Sequence, residues 1–341
     1  MRLLKQRKIM KKAILIILSS VMLFGSCARK ATPGLNDSAR ESFIAWLNRH
    51  HPDAKSSGHG VYIIEDTPGG AVLGSEREYP YVSVDYIYYD LLGDILGYTE
   101  EAVAKQLGEY SENAVYTPQI FYRGENGMNV GMRDAISGMS IGGERLVVIP
   151  GWLTGSEEYD TEAEYLANVS GKDGIYRFKL REQIKDMEKW ELDSLNSYVA
   201  RNYKLAPKDT LRKGFFYVRT GKPESEKEFP KDTTFKIDYI GRLLNGRVFD
   251  TTIKDTAIVY GIYKSSATYG PVSVTFAEDY KEIKLGGSTV IDGFSYTLSQ
   301  MHSGESGSGI FYSSLGYGAS GSGNSIPAFS PLRFDISIVG K

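Results

Sequence analysis

The chain has 341 residues and a formal net charge of −2, with one cysteine and four histidines. The lone cysteine excludes an internal disulfide framework and any cysteine-rich zinc or iron–sulfur site, and four histidines argue against a histidine-built metal centre. Because the charge balance provides no basic field, it also argues against a nucleic-acid partner. We therefore expect no metal, no cofactor and no nucleic acid, and the length predicts about two domains.

Residues 1–26 have the pattern of an export signal. Six lysines and arginines precede an apolar run from Ala13 to Phe24 that is too short to cross a ~30 Å hydrocarbon core. Gly25 and Ser26 then lead to Cys27, and this ending resembles a bacterial lipobox, although Phe24 stands where leucine is usual. The sequence thus predicts lipidation of Cys27. An ordinary cleaved signal followed by a coincidental cysteine is the alternative.

The predicted anchor sets the expected location. Residues 27–37 contain proline and glycine without apolar periodicity, so they are predicted to be a tether. Several acyl chains on one cysteine would hold the chain stably at a membrane. No acidic run follows Cys27, and acidic runs there favour surface display in some bacteria. We therefore expect a membrane-anchored lipoprotein outside the cytoplasm, at the outer membrane and facing the periplasm.

The rest of the chain contains an internal repeat. Tyr86 and Gly93 recur 153 residues later as Tyr239 and Gly246, and residues 136–143 are similar to 298–305. The repeat predicts two α+β copies, each an antiparallel sheet with a short helix and each preceded by a helical segment. The first copy with its leading helix is placed at 38–182, a linker helix at 183–211 and the second copy at 212–341.

The second copy carries motifs of a known family. The motifs, in order, lie at 239–250, 290–294, 298–304, 316–321, 326–327 and 333–338. Together they resemble the FKBP-type peptidyl-prolyl cis-trans isomerases over roughly residues 212–341. The resemblance implies a sheet wrapped on a short helix and catalysis of cis–trans exchange at X-Pro bonds. One departure is a long insertion at about 253–279, which we expect to form a lengthened flap or hairpin.

The chemistry of this reaction needs no nucleophile. Rotation about an amide faces a barrier of ~18–20 kcal/mol, and a dry pocket that binds the twisted amide preferentially lowers it. The resemblance assigns catalysis to Asp250, Tyr317 and Phe249, with Tyr317 donating to the carbonyl before proline and Asp250 orienting Tyr239 or polarising the amide. It assigns the pocket walls to Tyr239, Val290, Ile291, Phe294, Ile326 and Phe334. Phe294 stands where the family usually has tryptophan.

The first copy departs from the same pattern. Gly97 replaces the aspartate, Leu96 replaces the phenylalanine and Met132 takes the place of the pocket floor. We therefore expect a degenerate FKBP-like domain that binds unfolded chain, positions the second copy or mediates dimerisation. A diverged pocket with its own ligand is the alternative.

These observations lead to one expected function and one alternative. The expected function is a tethered isomerase that assists the folding of exported proteins, and its partners would be the membrane and proline-containing unfolded or exported polypeptides. The alternative is a non-catalytic chaperone or scaffold lipoprotein that uses FKBP-like folds for binding. The client proteins and the oligomeric state are left open.

Overall fold

A computed structural model describes residues 35–340. Cys27 and the predicted signal peptide lie outside the described residues. The chain divides into two units, one ending at Trp46 and one comprising Leu47–Lys341, and the latter contains both sheets. The helix α1, Leu35–His50, spans the boundary. Within the described range, no helix combines the length and apolar character needed to cross a membrane.

The first sheet has seven antiparallel strands in the order β1-β2-β6-β7-β3-β4, with β5 also paired to β3. Its strands are β1 Lys55–Ser57, β2 Val61–Thr67, β3 Tyr81–Tyr89, β4 Ile95–Tyr98, β5 Gln119–Tyr122, β6 Glu144–Ile149 and β7 Gly174–Ile184. Its helices are α2 Glu101–Leu107, α3 Val130–Ile136 and α4 Glu162–Asn168. One 3₁₀ turn, Gly151–Leu153, completes the described elements of this region.

The second sheet repeats this arrangement. Its order is β13-β12-β11-β9-β15-β14-β8, with β10 paired to β9. The strands are β8 Phe215–Gly221, β9 Thr234–Leu243, β10 Val248–Thr251, β11 Val272–Thr275, β12 Lys284–Leu285, β13 Ser288–Thr289, β14 Ser306–Phe311 and β15 Leu332–Gly340. The helices are α6 Lys254–Val259 and α7 Asp292–Ser299. Strands β2, β6, β7 and β3 correspond in order to β8, β14, β15 and β9, so the chain contains two α+β copies with the same core sheet order.

The helix α5, Met187–Tyr203, links the two folds within the predicted 183–211 segment. It begins where the Asp186 side chain accepts a hydrogen bond from the Lys189 amide, and it ends at Lys204 in the left-handed conformation. Leu195 and Val199 on one face pack with Phe216 of β8 and Ile310 of β14. The linker helix therefore packs against the second sheet through apolar side chains.

The other face of the second sheet packs against α7. A side chain at Gly293 would place its Cβ 2.3 Å from the Phe311 ring, so only glycine permits this approach of helix to sheet. Phe235, Ile237 and Leu298 are fully buried in the same core. Each such side chain contributes about 1.5–3 kcal/mol of burial free energy. This packing fixes α7 beside the strands that carry the site.

The insertion at 253–279 differs from the expected flap or hairpin. It begins with α6, whose Ala257 is fully buried, and reaches β11 after a loop. Strand β11 then pairs with β9. The alternating residues Val272 and Val274 join the sheet, so the second half of the insertion extends the sheet rather than projecting from it.

Candidate active site

A β-bulge positions the predicted catalytic pair. Asp250 pairs with Gly241 of β9, but Val248 pairs with Arg242, which leaves Phe249 as the extra residue. A bulge bends its strand and redirects side chains, and bulges are frequent beside active sites. Here it brings Phe249 and Asp250 to the rim of one apolar pocket.

Hydrogen bonds fix Tyr239 at the bulge. Its hydroxyl donates to Asp250 Oδ2 at 2.7 Å. Its amide donates to Thr252 Oγ1 at 3.0 Å, and its carbonyl accepts from Thr251 Oγ1 at 2.7 Å. Thr252 Oγ1 in turn donates to Asp238 Oδ1 at 2.8 Å. Hydrogen bonds thus fix both the backbone and the side chain of Tyr239.

Four aromatic rings form the pocket. Phe294 of α7 lies 5.0 Å from Phe334 of β15, with the ring planes at 88°. Tyr239 meets Phe294 edge-on at 5.3 Å, and Phe249 meets Phe334 edge-on at 5.5 Å. Edge-to-face packing of this kind contributes about 0.5–1.5 kcal/mol per pair beyond burial. The predicted pocket walls therefore meet in one apolar cluster of packed rings.

Gly241 makes room for this ring arrangement. A Cβ at this position would lie 2.7 Å from the Phe249 ring and 2.9 Å from the Phe334 ring. The sequence interpretation did not include Gly241 in the site. A glycine inside a strand of alternating pattern signals close approach of another group, and that signal could have found it.

The loop after β14 supplies Tyr317 and Ile326, and the segment before α7 supplies Val290 and Ile291. Ile326 is buried and belongs to the same apolar cluster as Phe294 and Phe334, and Val290 and Ile291 pack against that cluster. Reciprocal backbone hydrogen bonds between Ser322 and Ile326 close the loop. Tyr317 is 37% exposed, so its ring borders solvent.

Both tyrosines at the rim keep their protons at neutral pH. Burial, followed by the Asp250 carboxylate, raises the pKa of Tyr239. The same two causes raise the pKa of Tyr317. Each hydroxyl is therefore a hydrogen-bond donor, and Asp250 is the acceptor for Tyr239.

The loop that carries Tyr317 is anchored by the linker helix. Glu191 of α5 is buried, and its two carboxylate oxygens accept from the Ser313 amide at 2.8 Å and from Ser313 Oγ at 2.9 Å. Burial raises the pKa of Glu191 despite these bonds. Neither residue was predicted from the sequence, because a contact between residues 122 positions apart leaves no local pattern.

The first copy has the same frame but different side chains at the pocket positions. The Tyr86 amide donates to Thr99 Oγ1, and Thr99 Oγ1 donates to Asp85. These bonds repeat those that join Tyr239, Thr252 and Asp238 in the second copy. Tyr88, however, stands at the position of Gly241 and stacks on Tyr176 with ring centroids 4.4 Å apart. Gly97 pairs with Tyr88 as Asp250 pairs with Gly241, so no carboxylate is available there.

Comparisons with known proteins agree with the fold of the second copy. Residues 225–339 match the family model described as FKBP-type peptidyl-prolyl cis-trans isomerase. FK506-binding protein 2 of Dictyostelium discoideum is 33% identical over 105 residues, 31% of this chain and 62% of that protein. Peptidyl-prolyl cis-trans isomerase FKBP11 of Bos taurus is 32% identical over 106 residues, 31% of this chain and 41% of that protein.

A solved structure is also similar. The three FKBP domains of wheat FKBP73 align over 84% of this chain and 98% of that one, at 12% identity and a TM-score of 0.29. The matches to the two curated relatives span less than two thirds of either relative. The C-terminal region of the chain is an FKBP-type peptidyl-prolyl isomerase domain, and the resemblance inferred from its motifs is confirmed.

The structure thus brings the predicted pocket residues of the second copy together, and their individual roles stay predictions. Phe294, Ile326 and Phe334 share one buried cluster, on which Tyr239, Phe249, Val290 and Ile291 pack. Asp250 joins it through the hydrogen bond from Tyr239, and Tyr317 lies on the loop after β14. Among residues 35–340, no group of three histidine, cysteine, aspartate or glutamate side chains is arranged to hold a metal ion.

Proposed function

We propose that this protein is a peptidyl-prolyl cis-trans isomerase that acts on proline-containing polypeptides exported from the cytoplasm. The observation that carries the proposal is the 2.7 Å hydrogen bond from Tyr239 to Asp250 at the rim of a four-ring aromatic pocket. The pocket offers an X-Pro amide a dry apolar wall, and the rim offers polar groups to its carbonyl.

The mechanism is preferential binding of the twisted amide. Resonance is lost as the C–N bond rotates, and the nitrogen and carbonyl then interact less strongly with each other. The aromatic rings exclude water from the proline ring, while the Tyr317 hydroxyl donates to the carbonyl that precedes proline. Asp250 holds Tyr239 in place, so the pocket needs little reorganisation during rotation.

The test is exchange NMR on a tetrapeptide with one X-Pro bond, using the full chain. Asp250→Ala and Tyr317→Phe are expected to lower the catalysed exchange rate by about tenfold each, which is about 1.4 kcal/mol. The control is Asp255→Ala, which removes the same charge from a nearby exposed position on α6. Exchange no faster than in the absence of the protein would overturn the proposal.

The proposed location rests on Cys27. Lipid attached there would hold the protein at a membrane outside the cytoplasm, and we propose the periplasmic face of the outer membrane. Metabolic labelling with a radioactive fatty acid tests the anchor. The expected result is label on the intact sequence and none on Cys27→Ser. Equal labelling of both would contradict a lipid at this residue.

A second candidate function is non-catalytic holding of unfolded chains. The first copy favours it, because its sheet frame persists although Tyr88 stands in place of Gly241 and Gly97 in place of Asp250. Suppression of aggregation by the full chain distinguishes the two functions. Suppression that survives Asp250→Ala in a chain without isomerase activity would favour holding.

A further inference from the structure

A cleft lies between the two copies, within the unit Leu47–Lys341. It encloses about 1170 Å³. One wall is formed by β4 and the segment 109–120 of the first copy, and the other by residues 319–331 of the second copy. Small-molecule sites usually enclose about 300–1,000 Å³. The cleft therefore has room for an extended stretch of polypeptide.

The chemistry of the walls selects the class of ligand. Glu109 is the one charged residue among those that line the cleft, and no lysine or arginine is present there. Tyrosine, serine, asparagine, proline and small aliphatic residues make up most of the remainder, including Tyr98, Tyr116 and Asn324. Rigid aromatic faces with adaptable small polar groups are typical of surfaces that bind polypeptide. Phosphate and nucleic acid would lack a cationic partner.

The cleft shares a wall residue with the apolar cluster of the isomerase pocket. Ile326 belongs to the apolar cluster of the pocket and also lines the cleft. Val115 of the first copy packs against that same cluster, and its amide donates to the Asn324 carbonyl at 2.7 Å. A chain whose proline lies against this cluster would therefore have the cleft as its neighbouring surface.

The first copy also offers a strand to pair with. Within the described residues, β4 has β3 as its only strand neighbour, and Leu96, Gly97 and Tyr98 line the cleft. An edge strand presents unpaired amides and carbonyls that an extended peptide can use by strand addition. Leu96 is 55% exposed and offers an apolar contact beside that edge.

We propose that this cleft binds the residues flanking the proline of an extended, unfolded substrate, so that the degenerate first copy supplies the second half of one polypeptide-binding site. The inference rests on the proposed isomerase function and adds its substrate class: uncharged segments of unfolded chain longer than a tetrapeptide. Short peptides reach the pocket alone, whereas long ones contact both copies.

The test compares substrate lengths in the full chain. We measure kcat/KM for a tetrapeptide and for a 20-residue peptide, uncharged around one central X-Pro bond. Leu96→Glu is expected to lower kcat/KM for the long peptide by about fivefold, which is about 1 kcal/mol, and to leave the tetrapeptide within about twofold. Leu92→Glu is the matched control, because Leu92 lies in the same hairpin, is 88% exposed and does not line the cleft.

Three outcomes would overturn the cleft assignment. The first is an unchanged kcat/KM of Leu96→Glu for the long peptide, and the second is an equal fall in kcat/KM for both peptides. The third is a rise in kcat/KM for both peptides, which would mean that the first copy obstructs the pocket. If the unsubstituted chain lacks tetrapeptide activity, the proposed function fails. Fluorescence anisotropy of the labelled 20-residue peptide then still tests the cleft, with weaker binding to Leu96→Glu than to Leu92→Glu expected and equal binding contradicting it.

Discussion

The two copies share a frame of paired strands and backbone hydrogen bonds, and they differ in the side chains that lie on it. In both, a tyrosine on the central strand donates its amide to a threonine, and in both the neighbouring strand bulges at the same register. At the position facing the bulge, the first copy has Tyr88 and the second has Gly241. The tyrosine stacks on Tyr176, whereas the glycine leaves space that Phe249 and Phe334 occupy.

This difference shows how one fold loses or keeps a pocket. The hydrogen bonds that shape the bulge stabilise the sheet in both copies, so they persist without any reaction to serve. The pocket itself depends on the absence of a side chain at Gly241 and on the carboxylate of Asp250. Tyr88 stands where Gly241 admits the two rings, and Gly97 removes the carboxylate, so the first copy keeps the sheet frame without the ring arrangement of the second.

The largest expected effect comes from giving the second copy a side chain at the facing position. Gly241→Leu should push the Phe249 and Phe334 rings apart and lower kcat/KM for a tetrapeptide by about 100-fold, or about 2.7 kcal/mol. Gly340→Ala, on the same sheet but with nothing near its Cβ, is the control. Circular dichroism checks that the fold is kept. Activity within twofold of normal would disprove the role of Gly241.

A converse change in the first copy should affect stability and not catalysis. Tyr88→Ala removes the ring stacked on Tyr176, and urea unfolding is expected to show a loss of about 2 kcal/mol. Tetrapeptide isomerisation should stay within about twofold, because folding and not chemistry depends on this ring. A tenfold fall in activity would mean that the first copy takes part in the reaction.

The anchor of the catalytic loop tests the link between the copies. Glu191→Ala leaves the Ser313 amide without a partner, and a loss of about 1–3 kcal/mol in unfolding free energy is expected. Glu191→Gln retains an acceptor and removes a carboxylate whose pKa is raised by burial. At pH 7 this variant should match or exceed the parent in stability. Equal losses for both variants would contradict this account of the anchor.

The smallest expected effect is a pH dependence centred on Glu305, a buried carboxylate in the second copy. Burial alone would raise its pKa, but hydrogen bonds from Tyr217, His302 and Arg219 outweigh burial and lower it. Its contribution to stability is therefore complete above its ordinary pKa of 4.5 and is lost as the pH falls through the lowered value. Glu305→Gln should flatten the acid side of the stability profile; an unchanged slope would argue against it.

The sequence predicted those parts of the site that lie in recurring local patterns. The repeat, the strand alternation and the joined motifs of the second copy predict Tyr239, Phe249, Asp250 and Phe334, and the structure places them in or beside one ring cluster. Glu191 and Val115 were not predicted, because each acts on a segment more than a hundred residues away. The expectation of a flap or hairpin was wrong for the second half of the insertion, because the pairing of β11 with β9 depends on the whole sheet.

The most direct test of the central claim, that chemistry belongs to the second copy alone, is a paired measurement of exchange NMR on the tetrapeptide. Tyr86→Phe and Tyr239→Phe remove the same hydroxyl from equivalent positions, but only Tyr239 has a carboxylate acceptor at the bulge. We predict a fall of about tenfold for Tyr239→Phe and a change within about twofold for Tyr86→Phe. Equal effects of the two substitutions would contradict the claim.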